Sequence, residues 1–415
     1  MKRKFRIIVG MLLLAIPLCM NAQVKPTKPE ESKPKTEKPE VKPEKPGMKP
    51  EKPGMPEKPG MKPEKPGMKP ERPDGPKPGM NEPKGGFEMP KISGFVQGMY
   101  QANLTDEGEL SSNTFRMRRV RLSVDGKLSK TVSYKLQGDF VRSPMLVDAY
   151  LKYKPCNEFA IQIGQFKTPF TIESPINPVN LEIFDYGEII QKLGGYSDVC
   201  GVGGIGRDIG VMATGSLFPV KDYRVVDYAI GVFNGNGPTA LDNNNRKDIV
   251  GRLEVHPGLK ALTLSGSYYY GKYYKDEINN GARNRWAAGA QYDDGNFLVR
   301  GEYLSGTTGY LDYTPLVGTE ELYQLSDGFY AVAGYNFKFG KEGKKQTLMP
   351  VLRFEHFKAG DKSHIENGAT NYYTAGINYW PLKSVNFKVD YSLIQEVLDG
   401  STYSHRVVGI LSYKF

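Results

Sequence analysis

The sequence predicts an all-β chain: a 16-stranded antiparallel transmembrane β-barrel, preceded by a signal peptide and a Pro-rich extended linker. Three observations lead there. From residue 91 onward the apolar pattern has a period of two; the connections between predicted strands alternate between short and long; and the chain ends on an aromatic residue with apolar residues at every second position before it. The chain has 415 residues, 56 of them Lys or Arg and 46 Asp or Glu. Residues 1–22 hold 4 basic and 0 acidic groups, 23–90 hold 16 and 12, and 91–415 hold 36 and 34. The bulk of the protein is therefore near neutral, and a basic surface for nucleic acid is excluded.

Residues 1–22 read as an export signal. Met1-Lys-Arg-Lys-Phe-Arg6 is a cationic start, and Ile7 to Met20 is an apolar run too short to span a bilayer. Asn21-Ala22 places a small residue before the cut, leaving Gln23 as the mature N-terminus. The remaining cysteines, Cys156 and Cys200, do not make a disulfide framework and are expected as free thiols.

Residues 23–90 read as a spacer. Lys42–Met48 and Lys49–Met55 both spell KPEKPGM, and the heptad returns from Lys62. Of 30 prolines, 18 fall between 24 and 90. Proline twice per repeat removes backbone donors and fixes φ, which excludes helix and leaves extended polyproline II. So few aliphatic side chains cannot offset chain entropy with burial. The segment is either an inert periplasmic rod or a contact to an anionic polymer such as peptidoglycan.

Strands are expected near 92–102, 114–127, 131–142, 146–155, 159–167, 206–218, 225–233 and 247–256, then near 261–272, 283–293, 297–305, 326–339, 347–359, 370–381, 385–396 and 404–415. Short turns on one side and long loops on the other describe an outer-membrane barrel, whose outward face is apolar. Leu253 and Val255, Val389 and Leu393, Val407 and Leu411 fit that face. Arg252 and Glu254, Arg300 and Glu302, Arg353 and Glu355, Lys388 and Asp390 fall on the opposite one. Lipid-facing basic charge costs roughly 2–4 kcal/mol near the midplane, so the charged face is the lumen. Sixteen strands leave a water-filled channel. The ending through Tyr413 and Phe415 fits the signal read by the barrel assembly machinery.

The stretch Phe115-Arg-Met-Arg-Arg-Val-Arg-Leu-Ser-Val-Asp-Gly126, with Tyr134 to Phe140, Asp148-Ala-Tyr150, Ile163 to Phe170 and Gly206-Arg-Asp-Ile-Gly210, resembles the phosphate-selective porin O and P family. The match is densest from about 115 to 235. The resemblance implies a Gram-negative outer-membrane porin, sixteen-stranded and usually trimeric, with a lumen lined by Arg and Lys and, in some members, a preference for phosphate. It places Arg118, Arg119 and Asp139 on the anion pathway.

Parity on strand 114–127 turns Arg119, Arg121 and Asp125 inward with Val120, Leu122 and Val124 outward, so Arg116 and Arg118 require a bulge or a rim position. Lys135, Gln137 and Asp139 share the next inward face, and Asp148, Lys152 and Lys154 the one after. The inward arginines either select anions or pair with neighbouring carboxylates and stiffen the wall. Loop 168–205 is the expected constriction, and it carries Lys192 alone against Glu173, Glu182, Asp185, Glu188 and Asp198. The arginines favour anions and the loop opposes them, so the residues leave the preference open. Gly201, Gly203 and Gly206 match G-x-G-x-x-G without a surrounding βαβ unit. Four scattered histidines (His256, His356, His364 and His405) and the lack of a nucleophile–base–acid arrangement give no metal site, no cofactor and no enzyme. The expected function is passive diffusion of small hydrophilic solutes through the outer membrane. The rival is a structural anchor whose proline segment ties membrane to cell wall.

Overall fold

The computed structural model describes residues 89–221, 223–274, 280–310, 322–341, 345–359, 368–397 and 400–415. The signal and spacer readings lie outside the described residues. Sixteen antiparallel strands follow in chain order. They are β1 Lys91–Leu104, β2 Leu110–Lys127, β3 Val132–Asp139, β4 Leu146–Tyr153, β5 Ala160–Lys167, β6 Arg207–Val220, β7 Tyr223–Phe233 and β8 Asp248–Val255. Next come β9 Leu262–Tyr270, continued by Lys272–Tyr274, then β10 Asn280–Asp293, β11 Phe297–Tyr310 and β12 Leu322–Tyr335, continued by Phe337–Phe339. The last four are β13 Gln346–Lys358, β14 Ala369–Leu382, β15 Val385–Val397 and β16 Ser401–Lys414.

Each strand pairs with its neighbours in sequence, and β1 pairs with β16 from Phe95↔Lys414 to Leu104↔His405. That last ladder closes the sheet, which removes the free edge an open sheet would expose to lipid. Phe415 exchanges hydrogen bonds with Gly94 in both directions at 3.0 Å, so the barrel begins and ends on one rim. The connections 128–131, 154–159, 256–261, 294–296 and 383–384 share that rim, while 105–109, 140–145, 168–206 and 234–247 lie on the other.

Alternation puts the polar face inside. On β15, Asn386, Lys388, Asp390 and Ser392 are buried, whereas Phe387, Val389 and Tyr391 are exposed. A soluble sheet would show the reverse, because exposed apolar area is stable only against an apolar solvent. Aromatics gather on the outer face near the short-turn rim, including Tyr335, Phe337, Phe339, Phe387, Tyr413 and Phe415, as the interfacial girdle of such barrels requires.

The difficult parity of β2 is resolved by a bulge. Gln97 pairs with Arg119 but Gly98 pairs with Met117, so Arg118 is an extra residue in the ladder. The frame shifts there. Phe115 and Met117 face outward at 82% and 50% exposure, and Val120, Leu122 and Val124 still share the outer face beyond the bulge.

Candidate functional site

The segment between β5 and β6 enters the barrel and supplies the only helical structure among the described residues. Asn177 caps a 3-10 turn at Pro178–Asn180, accepting from the Val179 N–H at 3.3 Å. Glu188–Leu193 then forms the short helix α1, with Glu188 and Lys192 paired one turn apart at 3.5 Å. Gly187 precedes it because a Cβ there would collide with the Arg353 guanidinium. The wall and the loop approach each other too closely for a side chain.

What draws this loop inward is partly hydrophobic. Leu181, Ile183, Ile189, Ile190 and Leu193 bury themselves against Val250, Tyr269, Leu304, Tyr330, Val332 and Val351, which point inward from β8 to β13. Burying a side chain of that size is worth about 1.5–3 kcal/mol. The sequence reading assigned the charged face to the lumen and did not single out this cluster. Its signal was available in the inward parity of Val250, Leu304 and Val351.

Buried ion pairs hold the loop in register. Glu173 accepts from Arg353 at 2.6 Å and lies 3.4 Å from Arg300; its second oxygen accepts the Gly187 N–H at 2.9 Å. Glu182 pairs with Arg300 at 2.5 Å. Asp185 pairs with Arg119 at 2.6 Å and with Arg118. Asp198 accepts from Arg283 at 2.8 Å and from Arg285 at 2.7 Å. Backbone groups complete the attachment: Asn378 donates to the Glu182 carbonyl at 2.6 Å, Lys388 to the Ile183 carbonyl at 2.9 Å, and Arg252 to the Thr171 carbonyl at 2.7 Å. Burial pushes the Glu173 and Asp198 carboxyls up, but the guanidinium pairs outweigh it and hold both below the usual carboxylate range. They are ionised at neutral pH. Cys200, 3.4 Å from Arg285, is buried and its thiol is pushed up to about 12, mainly by desolvation; Cys156 is exposed, and both are free.

The loop's negative charge is thus cancelled by the wall and does not confront a passing solute as bare carboxylate. Of the expected pathway residues, Arg118 and Arg119 fasten the loop. Arg121 pairs with Asp139 at 2.9 Å across β2 and β3. Lys135 sits 3.4 Å from Asp125. Lys152 is half-buried and, among the described residues, has no carboxylate within salt-bridge distance. Of the expected constriction residues, Glu173, Glu182 and Asp185 are buried anchors, while Glu188 and Lys192 are half-buried and pair with each other. Arg283, Arg285 and Asp198 were not singled out as a unit by the sequence reading, because 85 residues separate Arg283 from Asp198.

On the β3–β7 side the polar attachment narrows to Lys167 of β5, which donates to the Ile176 carbonyl at 3.0 Å, while Phe166 of β5 and Phe233 of β7 join the apolar cluster. Among the described residues, β3, β4, β6 and β7 give no hydrogen bond or ion pair to loop residues 170–198. That leaves Lys135, Gln137, Lys152, Thr214 and Asp227 along the open side of the lumen. Arg207 and Asp148, paired at 2.7 Å, brace its upper end. Among the buried carboxylates that make no ion pair, Glu302 and Asp208 accept the Ile172 and Gly235 N–H groups at 3.0 and 2.8 Å. No group of three His, Cys, Asp or Glu among the described residues could hold a metal ion.

Residues 91–402 match the family model described as phosphate-selective porin O and P. No curated protein matches. Among solved structures, the chain is similar to the outer-membrane channel DcaP of Acinetobacter baumannii, with 14% identity, 79% of this chain and 97% of that one covered, and a TM-score of 0.55. It is similar to the anion-selective porin from Comamonas acidovorans at 12% identity, 79% and 99% coverage and a TM-score of 0.56. The trimer form of OmpT from Vibrio cholerae is similar at 11% identity, 79% and 100% coverage and 0.54. At these identities the likeness is one of fold.

Proposed function

From the premise that the chain belongs to the phosphate-selective porin O and P family and is a passive diffusion channel of the Gram-negative outer membrane, we propose that solutes pass between the inward loop and β3–β7, with a preference for anions. The observation that carries this is the charge balance. Glu173, Glu182, Asp185 and Asp198 each face wall arginines, whereas Lys152 on the open side has no carboxylate against it among the described residues. Uncompensated basic groups beside water attract anions and replace part of their hydration. An anion-selective porin among the fold neighbours fits the reading.

The pathway residues are Arg118, Arg119, Arg121, Lys135, Asp139 and Lys152. Of these, Lys152 and Lys135 meet the solute directly, and Arg118 and Arg119 act by holding the loop through Asp185. The working unit is a homotrimer, as the trimeric neighbour suggests. Residues 1–22 are the signal peptide, 23–90 a periplasmic linker and 91–415 the barrel, assembled through recognition of Tyr413 and Phe415. Reversal potentials under a chloride gradient test the preference. Lys152→Glu should lower the anion-to-cation permeability ratio by several-fold, and a ratio unchanged in both Lys152→Glu and Lys135→Glu would refute it.

A second reading has its own support. β1 begins at Lys91 on the short-turn rim beside Phe415, so the segment before it leaves from the side such barrels turn to the periplasm. At about 3.1 Å per residue in polyproline II, its 68 residues could reach roughly 210 Å. That length suits a tether to peptidoglycan. Deleting residues 24–84 separates the readings: a channel still conducts, and a tether no longer co-sediments with cell wall.

A further inference from the structure

The open side of the lumen contains one cavity with an organised chemical pattern. It lies near the short-turn rim, has a volume of about 250 Å³, and is lined by Lys152, Lys154, Thr214, Ser216, Asp227 and Arg252, with Ala160 and Ala229 among its other lining residues. The strand register orders these groups. Tyr153 pairs with Ile161, which sets Lys154 opposite Ala160; Ala160 pairs with Thr214, Thr214 with Ala229, and Ala229 with Arg252. One row across β4 to β8 therefore reads Lys, Ala, Thr, Ala, Arg. The two alanines leave the floor shallow between taller polar groups.

The groups differ in what they have free. Lys152 and Lys154, two residues apart on one face, have no carboxylate partner among the described residues. Arg252 is committed to Glu254 at 3.3 Å and to the Thr171 carbonyl, and Asp227 is held by His256 at 3.0 Å. The Thr214 and Ser216 hydroxyls face the cavity from β6. Positive charge without a carboxylate partner is thus concentrated at the β4 end. Hydroxyl and carboxylate groups, which exchange hydrogen bonds with hydroxyls, occupy the middle and the β7–β8 end. Two strand spacings, about 9.5 Å, separate the lysine column from the hydroxyl column. That spacing suits a molecule carrying its negative group at one end of a hydroxylated backbone.

We propose that this cavity is a binding station for a hydroxylated organic anion of monosaccharide size, a sugar acid or sugar phosphate. Its charged end meets Lys152 and Lys154, and its hydroxyls meet Thr214, Ser216, Asp227 and Glu254. The proposal rests on the channel reading and adds a solute class to it. A station near the exit rim raises the local concentration of such a solute, yet hydroxyl contacts are individually weak enough to release it.

The test uses full-length protein in planar bilayers, with gluconate, glucose 6-phosphate, inorganic phosphate, acetate and glucose added at equal ionic strength. Gluconate or glucose 6-phosphate should interrupt the current at concentrations at least tenfold below those of the other three; whichever acts names carboxylate or phosphate as the charged end. Thr214→Val should raise the half-blocking concentration about fivefold through the lost hydrogen bond, and Lys154→Gln by roughly tenfold or more through the lost charged one. Ser216→Ala serves if either variant fails to insert. Equal block by inorganic phosphate and gluconate, or half-blocking concentrations unchanged in the variants, overturns the station while leaving the channel intact. Absence of any conductance in potassium chloride overturns the channel reading as well.

Discussion

Replacing Glu173 by Gln probes how firmly the inward loop is held. Glu173 is wholly buried and shared by Arg353 at 2.6 Å, Arg300 at 3.4 Å and the Gly187 N–H at 2.9 Å. Glutamine keeps the shape and can still accept from Gly187, but it removes the charge. Breaking a buried pair by removing one partner costs about 3–5 kcal/mol. Here the lower end applies, because Arg353 keeps Glu355 at 3.3 Å and Arg300 keeps Glu182 at 2.5 Å. A loss of about 3 kcal/mol multiplies the undocked-to-docked ratio of the loop by roughly 150. The strand ladders are untouched, so the barrel should still migrate differently in gels before and after boiling. Single-channel records should show frequent openings to a larger conductance as the loop leaves the lumen. Glu188→Gln is the control: its half-exposed pair with Lys192 is worth about 0.5 kcal/mol or less, so its records should match wild type within about twofold. Opening frequencies for Glu173→Gln no higher than for Glu188→Gln would refute the reasoning.

Deleting Arg118 removes the bulge without shifting the frame of β2, because Met117 already pairs with Gly98 next to the pair of Arg119 with Gln97. Phe115 and Met117 stay toward lipid and only the contact to Asp185 is lost, so the variant should still refold into vesicles with a urea midpoint lowered only slightly; failure to refold would contradict this. Acid should release the loop late. Glu173 and Asp198 have folded values below their unfolded ones, so their contribution is complete above the unfolded values of about 4 and is lost only as pH falls below them. Current noise should stay flat from neutral pH down to about 5 and rise below about 4; a rise already at pH 6 would show that other groups hold the loop.

Strand number, inside-outside parity and the outer-membrane class could be read from the chain because each is local. Period-two alternation such as Val385 to Leu393 states which face is greasy, and the cost of charge in lipid then assigns the lumen. Parity also marked an irregularity, since Arg116 and Arg118 required a bulge or a rim position; the register places the bulge at Arg118. The role of those arginines was not local. Arg119 meets Asp185 across 66 residues and Arg353 meets Glu173 across 180, so composition alone showed an acidic loop opposing a basic wall. Only folding makes the two cancel.

The amino-acid sequence by itself determined the barrel, because lipid outside and obligatory backbone hydrogen bonding leave one solution for sixteen amphipathic strands. The tertiary structure alone decided where water remains inside it. That depends on which wall segments attract the loop, a choice made by long-range pairs such as Asp198 with Arg285 and by apolar residues such as Leu304 that face inward against the rule for a polar lumen.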